Sequence, residues 1–235
     1  MSIEDLREHL IKRFDFLLGA LYIREIETCV LSDIHIGLEE ELFAQGLLFP
    51  LRERDELLKR IDIILKRFNP RKLVLAGDVV HSFGRADQRI RRKVEAILKT
   101  IRSRCDMIIV SGTHDGMLPY MGFTAQSRYD EGEYTIHHGD EDLREHGHLI
   151  IGHEHPVLDV DMMRIPCYLF GRGLMDGMDI IVLPAFNPFC QGVAVNHLES
   201  SDLLSPLLRR LDIGKLHPVV EMEGEVMVFP EIRSI

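Results

Sequence analysis

The chain has 235 residues, 46% hydrophobic and 28% charged, with a formal net charge of −10. That length and apolar content suit one compact α/β domain with a substantial core, and they exclude a disordered or fibrous chain. The negative balance opposes strong non-specific binding to a nucleic-acid duplex, which needs a basic face.

The first seven residues are acidic where a signal peptide would begin with a basic stretch. No apolar run approaches the roughly 18 residues of a membrane span. Cys29, Cys105, Cys167 and Cys190 are far apart and form no CxxC pair, so they read as reduced thiols serving as small buried hydrophobes. Together these features point to a cytoplasmic protein with no membrane contact. Oligomeric state leaves no readable pattern.

In chain order, residues 1–18 form a plausible helix, and 20–23 can pair as an edge strand with a short buried strand at 28–32. Leu57, Leu58, Ile61, Ile64, Leu65 and Phe68 recur at helical spacing, so 52–68 reads as an amphipathic helix that Asn69-Pro70 stops. A strand at 72–76 follows, then a helix whose inner face carries Ile90, Val94, Ile97, Leu98 and Ile101, then a strand at 107–110. This β-α-β-α-β order favours parallel neighbours with right-handed crossovers. The second half is strand-rich, with candidates at 134–137, 148–151, 164–170 and 179–183. Residues 203–211 suit a short helix and 219–229 a terminal strand or hairpin. The chain reads as a single domain over 1–235, with a core of about 20–197. Residues 198–235 form an extension too short for an independent capping domain.

Acid and imidazole groups fall at the ends of these strands. Asp33-Ile34-His35 follows the first buried strand, where strand alternation would put both side chains on one face. Gly77-Asp78 follows the second and Gly112-Thr113-His114-Asp115 the third. His138-Gly139 and Gly152-His153-Glu154-His155 follow strands of the second half. In an open α/β sheet such ends lie side by side and form the ligand crevice. Any one Asp or His here is more simply a turn former or a surface residue. The ordered set, with glycines allowing close backbone approach, instead suggests metal ligation.

The same ordered set resembles the calcineurin-like metallophosphoesterases, over about residues 28–195. Residues 38–50 (LEEELFAQGLLFP), 77–82 (GDVVHS) and 184–188 (PAFNP) resemble, more narrowly, the small archaeal SbcD-related phosphoesterases and the bacterial ligase-associated endonucleases of the PdeM type. The resemblance implies a four-layer α/β/β/α sandwich of two mixed sheets flanked by helices. It implies a hydrolase that cleaves phosphodiesters with two divalent ions, manganese foremost and iron or zinc as alternatives. Asp33, His35 and His155 would hold the first ion, with Asp78 bridging, and Asp78, His138 and His153 the second. His138, immediately before the glycine, fits the family pattern better than His137. His114 would sit beside the scissile phosphate, with Asp115 orienting it. His81 and Ser82 would lie near enough to touch substrate.

One position departs from the pattern. The family motif is GNHD, and here Thr113 replaces the asparagine. A single hydroxyl cannot supply both a carbonyl ligand and an amide donor, so a weaker second metal position is expected, with water filling the gap. Three readings of function remain: a nuclease linked to DNA repair, a phosphodiesterase or phosphomonoesterase of small molecules, and a non-catalytic metal-binding scaffold. Arg85, Arg89, Arg91, Arg92 and Lys93 could track a phosphate backbone, but they read more simply as the solvated face of their helix.

Overall fold

The computed structural model describes residues 2–47, 52–81, 88–143, 147–175 and 177–235. A capping box between Ser2 and Asp5 starts helix α1 (Ile3–Arg13). It is shorter than expected because strand β1 (Phe14–Leu17) turns back on β2 (Ala20–Ile23). The turn residues Leu18 and Gly19 both have positive φ, 51° and 79°, as a two-residue hairpin requires. Strand β2 is therefore an inner strand and β1 the edge.

Strand β3 (Thr28–Leu31), helices α2 (Leu38–Ala44) and α3 (Glu53–Phe68), strand β4 (Lys72–Ala76), helix α4 (Gln88–Arg102) and strand β5 (Asp106–Val110) follow. Strands β3, β4 and β5 are parallel neighbours, and the sheet runs β1-β2-β3-β4-β5. Each inner strand alternates its side chains between two apolar layers. Cys29, Leu31, Leu73 and Leu75 face the buried stripes of α3 and α4, whereas Val30, Val74 and Ala76 face a second sheet.

That second sheet is built from β6 (Arg128–Glu131), β7 (Tyr134–His137), β8 (His148–Ile151), β11 (Tyr168–Leu174), β12 (Met178–Val182), β14 (His217–Met222) and β15 (Glu225–Val228). Its order is β15-β14-β11-β12-β8-β7-β6, with β7, β8 and β12 parallel. A small third sheet joins β9 (Pro156–Val160), β10 (Met163–Pro166) and β13 (Val193–Ala194). The single strand expected at 164–170 is thus two strands in different sheets. β10 pairs with β9 through Pro166, Cys167 N–H extends that pairing to the Pro156 carbonyl, and from Tyr168 onward the chain pairs with β14 and β12 instead. Leu149, Ile151 and Val182 face outward to Leu203, Leu211 and the short helix α5 (Pro206–Arg210), which supplies Leu207 and Leu208. The layers are therefore helix, mixed sheet, mixed sheet and helix-containing cover, the four-layer arrangement that the resemblance implied. No helix among the described residues is long and apolar enough to cross a membrane. Ser82, Arg85 and residues 48–50 of the longer motif lie outside the described residues.

One edge contact ties the two sheets. The Glu131 carboxylate on β6 accepts from Lys72 Nζ (2.7 Å), Arg71 (2.7 Å) and the Tyr129 hydroxyl (2.7 Å). Partial burial opposes its charge, but Lys72, Tyr129 and Arg71 outweigh burial and hold the carboxyl at about 2. Its native value lies below its unfolded one. The stability it contributes is therefore present above the unfolded pKa of about 4.5 and is lost as pH falls toward 2. Glu131→Gln should cost about 1 kcal/mol at pH 7, allowing for solvent screening. In denaturant titrations that gap should close near pH 2; a gap independent of pH would contradict it.

Candidate metal centre

The loops after β3, β4, β5, β7 and β8 meet at one edge shared by the two sheets. Backbone pairing carries β3 and β4 past their ends, with Asp33 N–H to Gly77 O (3.2 Å), His35 N–H to Asp78 O (2.9 Å) and Ile36 N–H to Val79 O (2.9 Å). From the second sheet, Gly152 N–H donates to His138 O (2.9 Å). All six expected ligands are thereby placed within one cluster.

Their backbones are unusual. Asp33 (φ 56°), His35 (44°), Asp78 (49°), His153 (69°) and His155 (49°) are all left-handed. Such a conformation costs a non-glycine residue about 1–3 kcal/mol and persists only where surrounding structure imposes it, as in ligand clamps. Asp33 and His35 therefore converge through two left-handed residues, not through the strand alternation expected of them. Glycine is required beside them. A Cβ on Gly77 would run into the His138 imidazole, one on Gly112 into the Asp78 carboxylate, and one on Gly152 into Ser32 and Asp33.

The donor atoms form two groups that share Asp78: Asp33, His35 and Asp78, and Asp78, His138 and His153. His155 Nε2 is 3.0 Å from Asp33 Oδ1 and 3.3 Å from His35 Nε2, and His35 Nε2 is 3.8 Å from Asp78 Oδ2. On the other side His138 Nε2 is 3.4 Å from Asp78 Oδ2 and 3.1 Å from His153 Nδ1. Donors about 2.0–2.2 Å from a common ion stand roughly 3.0–3.5 Å apart, which four of these five spacings meet and the His35–Asp78 pair exceeds at 3.8 Å. Asp33 Oδ1 is fully buried with no hydrogen-bond partner, the atom a cation would satisfy.

Electrostatics points the same way. Burial opposes the charge on Asp33, yet the imidazoles of His155, His138 and His35 outweigh it and hold the carboxyl far below the ordinary range. Burial likewise opposes Asp78, which His138 and the His114 N–H bring down to about 2. Burial disfavours the His138 cation, but Asp78 and Asp33 drive its pKa up to about 9. His35 falls to about 4, with burial prevailing over Asp33. Two buried carboxylates thus remain ionised and draw a positive charge between them. Burial opposes the His155 cation too, but Asp33 raises its pKa.

Surrounding groups fix the donors. Ser32 Oγ donates to Asp33 Oδ2 (2.7 Å), and His153 N–H donates to the same oxygen (2.9 Å). Thr113 Oγ1 is 3.3 Å from both Asp78 oxygens, and His114 N–H donates to Asp78 Oδ1 (2.9 Å). The His114 ring stacks on His81 at 5.2 Å. His81 Nδ1 lies 3.0 Å from His35 Nδ1, and its Nε2 lies 2.6 Å from Glu41. His137 Nδ1 accepts the Gly139 N–H (2.9 Å).

Asp115 requires a correction. Its buried carboxylate accepts the N–H groups of Val79 (2.8 Å), Val80 (3.1 Å) and Gly112 (2.9 Å), so it clamps two loops together and does not orient His114. Burial pushes its carboxyl up to about 6, against those three amides. Lys93 is neither a phosphate contact nor a solvated lysine. It sits between Glu39 (2.8 Å), Glu40 (2.8 Å) and the buried Glu53 (3.1 Å).

Several contributors escape sequence reasoning. Glu53 accepts the Gly37 N–H (3.1 Å) and the Asn187 amide (3.2 Å), while Asn187 also donates to Ile34 O (2.9 Å). Glu154 anchors the 152–155 loop to Leu204 and Ser205. Cys190 lies with His35 and His155, all three donor atoms within 4.8 Å of one another.

The profile of the family described as calcineurin-like phosphoesterase matches residues 27–211, which include every donor named above. The chain belongs to that family. It is a hydrolase acting on phosphoesters, in a family that uses divalent metals. Among solved structures it is similar to the nuclease MPE of Pseudomonas putida, at 18% identity and a TM-score of 0.65, over 92% of this chain and 94% of that one. It is also similar to YfcE, a phosphoesterase from E. coli, at 16% identity and a TM-score of 0.42, over 68% and 79% of the two chains. A search of curated protein sequences gives no match.

Proposed function

We propose that this phosphoesterase cleaves phosphodiester bonds in nucleic acid, of the kind cut in DNA repair, with two divalent ions, manganese by preference. The observation that carries the reading is the pair of donor groups sharing Asp78. Asp33, His35, His155 and Asp78 would hold one ion, and Asp78, His138 and His153 the other. Carboxylate and imidazole donors of this kind suit manganese, iron or zinc, and the family resemblance puts manganese foremost. When bound, the ions would supply an activated water and neutralise charge on the phosphate. The fold shared with a protein described as a nuclease supports nucleic acid as the substrate class.

The chain's own residues set the rest. His114 is partly exposed beside Asp78, its Nε2 3.8 Å from Oδ2. Burial lowers its pKa, and the His81 and His138 rings add to that against Asp78, so a neutral imidazole offers an N–H to a phosphoryl oxygen. His81, against the same ring, is the neighbouring substrate contact. Residues 1–235 would act as one unit, because β14 and β15 extend the larger sheet and 203–216 cover it. The four cysteines are free thiols, which supports a cytoplasmic setting.

Hydrolysis of bis-(p-nitrophenyl) phosphate with manganese tests the reading. His114→Asn should lower kcat by about 10²–10⁴-fold while retaining metal. Inactivity with every divalent metal would overturn the reading. Cleavage of the small diester but of no oligonucleotide would move the substrate class to small phosphodiesters, which the net charge of −10 and the capture of Lys93 by three glutamates favour. A scaffold without catalysis would not need Asp33, His35, Asp78, His138, His153, His155 and His114 all retained.

Thr113 makes the second position the weaker one. Its hydroxyl is spent on the Asp78 carboxylate. Calorimetric titration with manganese should show two unequal affinities, and Thr113→Asn should raise the weaker by about tenfold or more. Two equally tight sites in the wild-type protein would refute this.

A further inference from the structure

Cys190 lies beside His35 and His155, two of the donors proposed for the first metal position. The loop that carries it is held at both ends by the peptides of the two histidines beneath it. At one end Asn187 donates its amide to Ile34 O (2.9 Å) and His35 O (3.4 Å). At the other, Val193 N–H donates to His155 O (2.9 Å). Cys190 lies between these ties, and its own N–H is bonded to Asn187 O (3.1 Å). The thiol is thereby fixed within 4.8 Å of a donor atom on both His35 and His155.

A second observation identifies this corner as a ligand site. Asp33 Oδ1, fully buried and without a hydrogen-bond partner, lies 3.0 Å from His155 Nε2. A cleft of about 280 Å³ reaches His155, Asn187 and Cys190 from outside, giving small solutes a route. The other three cysteines join no such donor group among the described residues. Cys29 and Cys167 are core residues, and Cys105 sits behind α4, bonded to Ile101 O.

We propose that Cys190 is a soft ligand of the first metal position, joining Asp33, His35, His155 and the shared Asp78 around a thiophilic ion such as Zn²⁺, Fe²⁺ or Co²⁺. This rests on the two-metal reading above and changes its metal at the first position from manganese to a thiophilic ion, manganese remaining the metal of the second. Thiolate selects zinc and iron, whereas oxygen and imidazole alone accept manganese. The two positions therefore differ in kind, the first thiophilic and the second not. On coordination the S–H bond is replaced by a sulfur–metal bond, and the thiol proton is released to solvent.

Cobalt reports on this directly. Titrating Co²⁺ into the metal-free full-length protein should give visible d–d bands together with a near-ultraviolet thiolate-to-cobalt charge-transfer band. Cys190→Ser should lose the charge-transfer band and keep the d–d bands, while Cys105→Ser keeps both. In competition titrations Cys190→Ser should weaken zinc by about tenfold or more and leave manganese affinity unchanged. Cobalt bands without a sulfur band in the wild-type protein would overturn the role of Cys190 and leave the two-metal reading standing. So would a sulfur band that survives in Cys190→Ser. Failure to bind cobalt at all would overturn both.

Discussion

Asp78→Asn should abolish metal binding at both positions and lower phosphodiesterase activity at least about 10³-fold. Asp78 is the one donor common to both groups. Asparagine keeps its shape and still offers an oxygen to the His114 N–H, so the loop has no reason to collapse. In the metal-free protein two changes oppose each other, because the substitution removes the attraction to His138 and the repulsion from Asp33. Stability without metal should therefore stay within about 1 kcal/mol of wild type. With metal the two proteins should part. A ligand at 100 times its Kd stabilises by about 2.7 kcal/mol, which raises the Tm of a chain this long by roughly 5–10 °C. The wild-type protein should show that rise and Asp78→Asn little of it, by calorimetry with and without manganese and with metal content measured by mass spectrometry. An equal rise in both would place the ions elsewhere.

This prediction uses residues that the sequence makes visible, for a physical reason. Asp33, His35, Asp78, His138, His153 and His155 follow apolar strands, and parallel strands bring their ends together whatever the rest of the chain does. The long helices were equally legible, because α3 and α4 carry buried residues at helical spacing on one face. What could not be read depends on partners far along the chain. Glu53 looks like an ordinary acidic residue in a helix's first turn, yet it is fully buried and holds Asn187, 134 residues later. Cys190 looks like a small hydrophobe until its loop is tied to His35 and His155. Left-handed φ at Asp33, His35, Asp78, His153 and His155 is also invisible, since Asp and His follow no rule as firm as that of glycine. The division of 164–170 between two sheets follows from the strands it meets, β9 as far as Cys167 and then β14 and β12. Each of these is a tertiary contact or a backbone choice without periodicity.

Asp115 shows how adjacency in sequence misleads, and it carries the second large effect. Next to His114 it reads as the partner of that imidazole. In the folded chain its two oxygens collect three backbone N–H groups instead, from Val79 and Val80 on one loop and Gly112 on another. Val79 and Val80 are fully buried, so truncation leaves donors that water cannot reach. Each buried unsatisfied donor costs about 1–3 kcal/mol, and Asp115→Ala should therefore destabilise by about 3–5 kcal/mol. Asp115→Asn should fall between, because its oxygen can keep the Val79 and Val80 bonds while its amide faces the Gly112 N–H. Stability by denaturant titration gives the order Asp, Asn, Ala. The stability loss separates the two roles when it is measured again in a His114→Asn background. A loop clamp loses the same stability there, because its partners are peptides. An orienting partner of His114 would lose little, since the imidazole is already gone. Only the first outcome is compatible with the three amide bonds. The clamp also explains the closeness of Gly112 to Asp78, since separating these loops would move the shared carboxylate away from both donor groups.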